Sequence, residues 1–211
     1  MGLILNRSQA LFLHMPKTGG TFIKKVFNEL GIKTHENFTV PAKVAKSHPY
    51  PQQIKYNYNY SFVFIRHPIS WYESFWKFTL PKIQRGPKRW WLPEWVGSDW
   101  HCLREIEELV SNNFQEFISN IIRSSPGYLT RVYEHFVGPQ ASPYVNFIGK
   151  NENLAEDLVK VLNHLEYDVS LKDITNIQKQ NVSKEAETIW NPEDKEKILY
   201  LEQGILKRFY Q

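Results

Sequence analysis

The stretch of sequence at residues 11–27, LFLHMPKTGGTFIKKVF, decides the fold. Residues 10–15 have the length and the mostly apolar composition of a buried strand, and a proline and two adjacent glycines follow within a few positions. Beyond the glycines, apolar residues recur at helical spacing as far as Leu30, while Lys24 and Lys25 fall on the opposite face. The pattern predicts a strand, a tight loop and a helix.

The predicted loop has the chemistry of an anion-binding site. A strand that runs into a helix aims free backbone N–H groups and the positive end of the helix dipole at one point. Gly19 and Gly20 carry no Cβ, so the backbone is free to approach a ligand closely. Lys17 adds a cation, and Thr18 and Thr21 add hydroxyl donors. These features predict a site for a phosphate-like group.

The loop differs from a Walker A motif. That motif, G-x-x-x-x-G-K-[ST], has its lysine after the glycines, whereas Lys17 precedes Gly19 and Gly20. For this stretch alone, the alternative is an ordinary strand-to-helix turn in which the glycines serve geometry only.

Length, composition and charge limit the class of protein. The chain has 211 residues, 42% of them hydrophobic and 23% charged, which is ordinary for one globular domain. The net charge of +4 suits an anionic ligand but is too small to indicate nucleic-acid binding. No apolar run is long enough to predict a membrane span. The single cysteine, Cys102, fits a reducing compartment, and we expect a cytoplasmic protein.

Strands alternate with helices along the chain. This alternation predicts one α/β domain over residues 1–211, with a parallel β-sheet flanked by helices. The predicted elements after the first helix are a strand at 61–65, a helix at 68–80, helical segments in 103–123 and 128–136, a strand at 144–148, a helix at 152–165 and a final helix from Pro192 that is capped by Asn191.

Residues 81–100 form a tryptophan-rich segment that we interpret as an insertion or lid over the site. Loops of this length in a compact domain are usually functional or disordered, and so many tryptophans argue against disorder. Trp90, Trp91 and Trp95 are candidates for stacking on the rings of a sugar substrate. Packing of the insertion onto the domain explains them equally well.

Two more groups of residues lie where ligands bind in α/β sheets. Arg66 follows the strand at 61–65, and Ser74 lies two turns along the next helix, with Ser70 one turn earlier on the same face. A guanidinium beside a hydroxyl is a phosphate clamp, although an arginine that merely ends a strand is the simpler alternative. Lys46-Ser47-His48 places a histidine where it is able to serve as a general base, or simply to pack.

The three groups together resemble one family, the sulfotransferases that use 3′-phosphoadenosine 5′-phosphosulfate (PAPS). The loop PKTGGT resembles the 5′-phosphosulfate loop of that family, and SFVFIRHPISWYES resembles its 3′-phosphate motif. Lys46-Ser47-His48 resembles the K-[ST]-H segment that carries the catalytic histidine. The later stretch VNFIGKNENLAEDL and the final helix resemble the carbohydrate-type branch.

The resemblance implies a P-loop NTPase-like sulfotransferase fold and a place for each part of the donor. The 5′ end of PAPS would rest on the backbone of residues 18–21, and Arg66 and Ser74 would hold the 3′-phosphate. An acceptor hydroxyl, of a carbohydrate or a small molecule, would attack sulfur in line and release 3′,5′-adenosine bisphosphate (PAP). No metal is implied.

The resemblance also implies three catalytic residues. His48 would take the proton of the acceptor hydroxyl, Lys17 would stabilise the leaving phosphate, and Lys46 would assist near the sulfonate. Because some branches of the family use a glutamate as the base, Glu36 and His35 are the alternatives to His48.

Two other functions compete with this interpretation. A P-loop kinase-like enzyme would require Mg²⁺ and prefer ATP, but the order of the lysine and the glycines is wrong for it. A nucleotide-binding protein without turnover would bind the ligand and transfer nothing.

Overall fold

The structure is built around a five-stranded sheet. The computed structural model describes residues 2–41, 48–84, 101–178 and 186–211. The strands are β1 (Leu3–Leu5), β2 (Ala10–Leu13), β3 (Thr34–His35), β4 (Tyr60–Ile65) and β5 (Phe147–Lys150), in the spatial order β3-β1-β2-β4-β5. Strands β2, β4 and β5 are parallel, as the alternation of strands and helices predicted.

The prediction of an all-parallel sheet was wrong, because β1 pairs antiparallel with both β2 and β3. A four-residue turn at 6–9 separates β1 from β2, and so short a connection joins only antiparallel strands. The polar residues of this turn, Asn6 to Gln9, interrupt the apolar sequence. The composition therefore does not indicate β1. The result is a mixed sheet in a single α/β domain.

Helices cover both faces of the sheet. Alternate residues of the central strands point to opposite sides, so Leu11 and Val63 belong to one buried cluster and Phe12 and Phe62 to the other. The helices are α1 (Gly20–Glu29), α2 (Pro68–Ile83), α3 (Phe114–Ser124), α4 (Tyr128–Val137), α5 (Leu154–His164), α6 (Leu171–Thr175), α7 (Pro192–Leu201) and α8 (Gln203–Phe209). Helices α1, α5 and α6 pack on the Phe12 side, and α2, α3, α4, α7 and α8 pack on the Leu11 side.

The helix boundaries agree with most of the predicted elements and differ at two points. Helix α2 continues through Pro81 to Ile83, where the sequence suggested a stop at Leu80. The final helix is capped by Asn191 as predicted, but it breaks at Glu202 into α7 and α8. None of the helices in the described ranges combines the length and apolar character that crossing a membrane requires.

Four of the residues singled out in the sequence lie outside the described ranges. Three are the tryptophans of the predicted lid and the fourth is the lysine next to the candidate histidine: Trp90, Trp91, Trp95 and Lys46. The lid itself falls almost wholly in the gap at 85–100.

The break at Glu202 places a carboxylate in the core. Glu202 is fully buried, and its two oxygens accept hydrogen bonds from the Tyr72 hydroxyl at 2.7 Å, from the backbone N–H groups of Leu129 and Thr130 at 3.1 and 2.7 Å, and from the Thr130 hydroxyl at 2.7 Å. Leu129 and Thr130 lie in the first turn of α4. Glu202 therefore caps α4 and ties it to α2 and to the end of the chain.

Glu202→Gln is expected to lower the free energy of unfolding by roughly 1.5–3 kcal/mol, because the variant loses charge-assisted hydrogen bonds to a buried group. Urea denaturation measures the change. Glu196→Gln, at an exposed position of α7, is the matched control and is expected to change the stability by less than about 0.5 kcal/mol. Equal urea midpoints for the two variants would contradict the role of Glu202 as a buried cap.

Candidate active site

The loop after β2 is shaped to leave N–H groups free. Lys17 and Gly19 adopt positive φ angles of 65° and 94°, and Gly19 is the N-cap of α1 with no side-chain cap. The first N–H groups of a helix have no partner within the helix, so those of α1 are directed out of its N-terminal end. The loop therefore has backbone geometry compatible with the predicted anion site, which stays a prediction.

Both glycines are required by close packing. A Cβ on Gly19 would lie 2.8 Å from Nδ2 of Asn151, and a Cβ on Gly20 would lie 1.9 Å from Cδ2 of His14. Asn151 directly follows β5, and His14 directly follows β2. The loop is thus held between side chains that follow β2 and β5, the two parallel strands on either side of β4.

Hydrogen bonds brace the loop from within and from α2. The Thr18 hydroxyl donates to the Met15 carbonyl at 3.0 Å, and the Thr18 side chain is buried. The Trp71 indole donates to the Pro16 carbonyl at 2.9 Å. Thr18 therefore shapes the loop with its hydroxyl, whereas Thr21 is exposed at the start of α1.

The structure brings Arg66 to the loop. Its Nη1 donates to the Lys17 carbonyl at 3.3 Å, and its Nε donates to the Ser70 hydroxyl at 3.0 Å. The Ser70 hydroxyl in turn donates to the His67 carbonyl at 3.1 Å. Ser74 lies one turn further along α2 and is largely buried. Ser70 therefore orients the guanidinium, while Ser74 is not its partner.

Tyr133, from α4, fixes the backbone at Arg66. Its hydroxyl accepts the Arg66 N–H at 2.9 Å and donates to the Arg66 carbonyl at 2.7 Å. The Tyr133 hydroxyl thus pairs with both polar groups of the Arg66 backbone, directly after the last residue of β4. The position of the guanidinium thus depends on α2 and on α4.

Positive charge accumulates around Lys17. Its Nζ lies 4.0 Å from the centre of the Phe78 ring, and Nζ of Lys82 lies 3.6 Å from the same ring. Burial, with added repulsion from Arg66 and Lys82, lowers the pKa of Lys17 to about 8. A nearby anion would stabilise the charged form of Lys17 and so raise its pKa.

His48 is buried among other histidines. Its ring centre lies 5.0 Å from that of His14 and 5.0 Å from that of His101, and its Nδ1 lies 2.8 Å from Nε2 of His101. Burial lowers the pKa of all three histidines, so each imidazole is neutral at neutral pH. The predicted His48 thus lies beside the first residue of the anion loop.

The alternatives to His48 lie at the end of β3 and directly after it. His35 is its last residue, and the Asn37 N–H donates to His35 Nδ1 at 3.1 Å. Glu36 acts electrostatically on Lys24 of α1, where it opposes the lowering of the lysine pKa by burial. Glu36 therefore lies close enough to α1 to influence the charge of Lys24.

Among the described residues, the group closest to a metal site is formed by His48, His101 and Cys102. Their ligand atoms lie within 4.8 Å of one another, and all three are buried. However, the Leu103 N–H donates to Nδ1 of His101 at 3.1 Å. A histidine bound to a metal donates through its second nitrogen instead of accepting there. The arrangement fits a hydrogen bond between two histidines better than ligation by His101.

Sequence reasoning missed four contributors to the site. His14 lies inside the decisive stretch, and Asn151 follows a predicted strand. Both could have been predicted, because ligands bind at the carboxyl ends of strands in α/β sheets. Tyr133 and His101 lie far along the chain from the motifs they support, and no local pattern indicated them.

The fold and the site define an α/β protein with a glycine-containing loop and an arginine brought together at the carboxyl edge of its sheet. A model of the sulfotransferase family matches residues 3–208. The chain belongs to that family. No curated protein and no solved structure matched the sequence.

Gly20→Ala is expected to destabilise the protein by roughly 1–3 kcal/mol, because the new methyl group collides with the His14 ring. The double variant His14→Ala, Gly20→Ala removes the obstacle. In a double-mutant cycle read by chemical denaturation, Gly20→Ala is expected to cost much less stability in the His14→Ala background than in the wild type. Strict additivity of the two substitutions would show that the ring is not the obstacle.

Proposed function

We propose that this protein transfers the sulfonate group of PAPS to a hydroxyl of an acceptor. The observation that carries the proposal is the hydrogen bond from Arg66 to the Lys17 carbonyl. It unites the candidate loop for the 5′-phosphosulfate with the candidate clamp for the 3′-phosphate, which are 49 residues apart in sequence.

The residues present fit this donor. The free N–H groups at the start of α1 and the two tightly packed glycines suit the 5′ end, with Lys17 and residues 18–21 as its proposed contacts. Arg66 and Ser74 are the proposed contacts of the 3′-phosphate. Because Ser70 already orients Arg66, it acts on this phosphate through the guanidinium.

Lys17 has the position and charge for stabilising the leaving group. Its ammonium lies over the Phe78 ring and is partly deprived of water, so its field acts through a low-dielectric medium. We propose that it neutralises the charge that develops on the phosphate oxygen as the bond to sulfur breaks. Lys46 is proposed to assist near the same sulfonate.

His48 is the proposed general base. It is neutral at neutral pH because burial lowers its pKa, and a base must begin unprotonated. Glu36 is the alternative base. The acceptor oxygen forms the new bond to sulfur, its proton passes to the base, and PAP leaves.

The remaining proposals concern the acceptor and the setting of the enzyme. A carbohydrate acceptor that stacks on Trp90, Trp91 and Trp95, under a lid formed by 81–100, rests on the resemblance to the carbohydrate-type branch. A single domain over 1–211 is consistent with the family match. A cytoplasmic location rests on the single cysteine, which is buried and free.

Calorimetric titration with PAP and with ADP, each with and without Mg²⁺, tests the proposed function. We expect PAP to bind without the metal and more tightly than ADP, which lacks a 3′-phosphate. Metal-dependent binding of ADP with no preference for PAP would favour a kinase-like enzyme instead.

Arg66→Ala is expected to cost roughly 1.5–3 kcal/mol of PAP binding, because it removes a hydrogen bond to a charged group. Binding of 5′-AMP, which has no 3′-phosphate, is expected to change little. Ser70→Ala is expected to weaken PAP binding in the wild type but not in the Arg66→Ala background, since Ser70 acts through Arg66. Equal losses for PAP and 5′-AMP would show that Arg66 does not contact the 3′-phosphate.

The affinity for PAP is expected to fall as the pH rises through about 8. In the free protein the pKa of Lys17 is lowered to about 8, and an anionic ligand favours the protonated form, so binding takes up a proton above that pH. The phosphates of PAP are already ionised there, since their second pKa is about 6.

The variant Lys17→Met is expected to abolish this pH dependence. It is also expected to reduce sulfonate transfer far more than PAP binding at pH 7. Lys172→Met, at an exposed position of α6, is the control for the loss of one lysine charge. A pH dependence that survives in Lys17→Met would assign the titration to another group.

A further inference from the structure

Two of the three buried histidines at the site, His48 and His101, share a hydrogen bond whose direction is set by a neighbouring backbone donor. His101 contacts His48 through Nε2, and the Leu103 N–H points at the opposite nitrogen, Nδ1. A backbone N–H always donates, so Nδ1 of His101 accepts and carries no proton.

This single donor fixes the protons of both rings. A neutral imidazole has one proton, so that of His101 is on Nε2, from which it donates to Nδ1 of His48 over 2.8 Å. Nδ1 of His48 then accepts, and the proton of His48 must be on its own Nε2. In this arrangement the basic lone pair of His48 is covered by His101, and its other nitrogen is a donor.

We propose that His101 is a positioning residue that holds His48 as the tautomer protonated on Nε2. The backbone N–H of Leu103 sets the direction of the pair. The tautomer itself follows from the contacts alone, whereas its consequence for catalysis rests on the proposed function.

That consequence is a constraint on the base. While His101 stays in place, His48 enters the site as a hydrogen-bond donor. It accepts the proton of an acceptor hydroxyl only after the contact with His101 opens or reverses. Reversal would place two donors, the Leu103 N–H and a protonated Nδ1, against each other 3.1 Å apart, so the resting pair resists it.

Nuclear magnetic resonance of protein labelled with ¹⁵N-histidine tests the proposal. Long-range ¹H–¹⁵N correlation spectra distinguish the two neutral tautomers from each other and from the charged ring. His48→Asn and His101→Gln assign the signals among the seven histidines. At pH 7 we expect both His48 and His101 to be neutral and protonated on Nε2. A proton on Nδ1 of His48, or a charged His48, would overturn the proposal.

Two substitutions separate a positioning role from a structural one. In His101→Ala, the signal of His48 is expected to move to a mixture of tautomers, because no donor holds Nδ1. In His101→Gln, the side-chain amide N–H reaches about as far as Nε2 of histidine and is expected to preserve the tautomer. His14 and Lys24, which also act electrostatically on His48, are unchanged in both variants. If His101→Ala leaves the His48 signal unaltered, the proposal fails.

Spectra recorded with PAP and with Zn²⁺ complete the test. Binding of PAP tests the proposed function, whereas the tautomer of His48 tests this inference. Each claim is therefore able to fail without the other. Retained tautomers on addition of Zn²⁺ are expected. Loss of the Nε2 proton of His101 with stoichiometric Zn²⁺ would make the cluster with Cys102 a metal site and overturn the proposal.

Discussion

The hydrogen bond from the Arg66 guanidinium to the Lys17 carbonyl is the contact on which the site depends. It joins the segment that follows β2 to the segment that follows β4, and these strands are neighbours in the sheet. Since the C=O and N–H groups of a trans peptide point in opposite directions, this bond turns the Thr18 N–H away from the guanidinium. The same bond therefore holds the guanidinium against the backbone of the loop.

Desolvation is the dominant electrostatic effect in this region. Burial is the main cause of the lowered pKa of Lys17, His14, His48 and His101, and neighbouring positive charges act in the same direction. The histidines are therefore neutral, and the repulsion between charged groups is that of Lys17 with Arg66 and Lys82. An anion placed among these three cations would relieve that repulsion.

The helices on the Leu11 side of the sheet support the site from behind. Trp71 of α2 and Tyr133 of α4 each hydrogen-bond to the backbone of a site segment, and Glu202 ties these two helices together through Tyr72 and Thr130. The chemistry at the edge of the sheet is thus linked to a buried carboxylate almost at the end of the chain.

The sequence by itself determined the strand, loop and helix at 10–30, the strand that ends before Arg66, and the family of the protein. Apolar periodicity, glycines and a charged residue at a strand end are local signals, and they are written within a few residues of one another. Only the tertiary structure decided that β1 is antiparallel, that Ser70 and not Ser74 holds Arg66, and that His101 covers His48. Those outcomes depend on contacts between segments distant in sequence and on the direction of single hydrogen bonds, for which the local pattern of residues carries no signal.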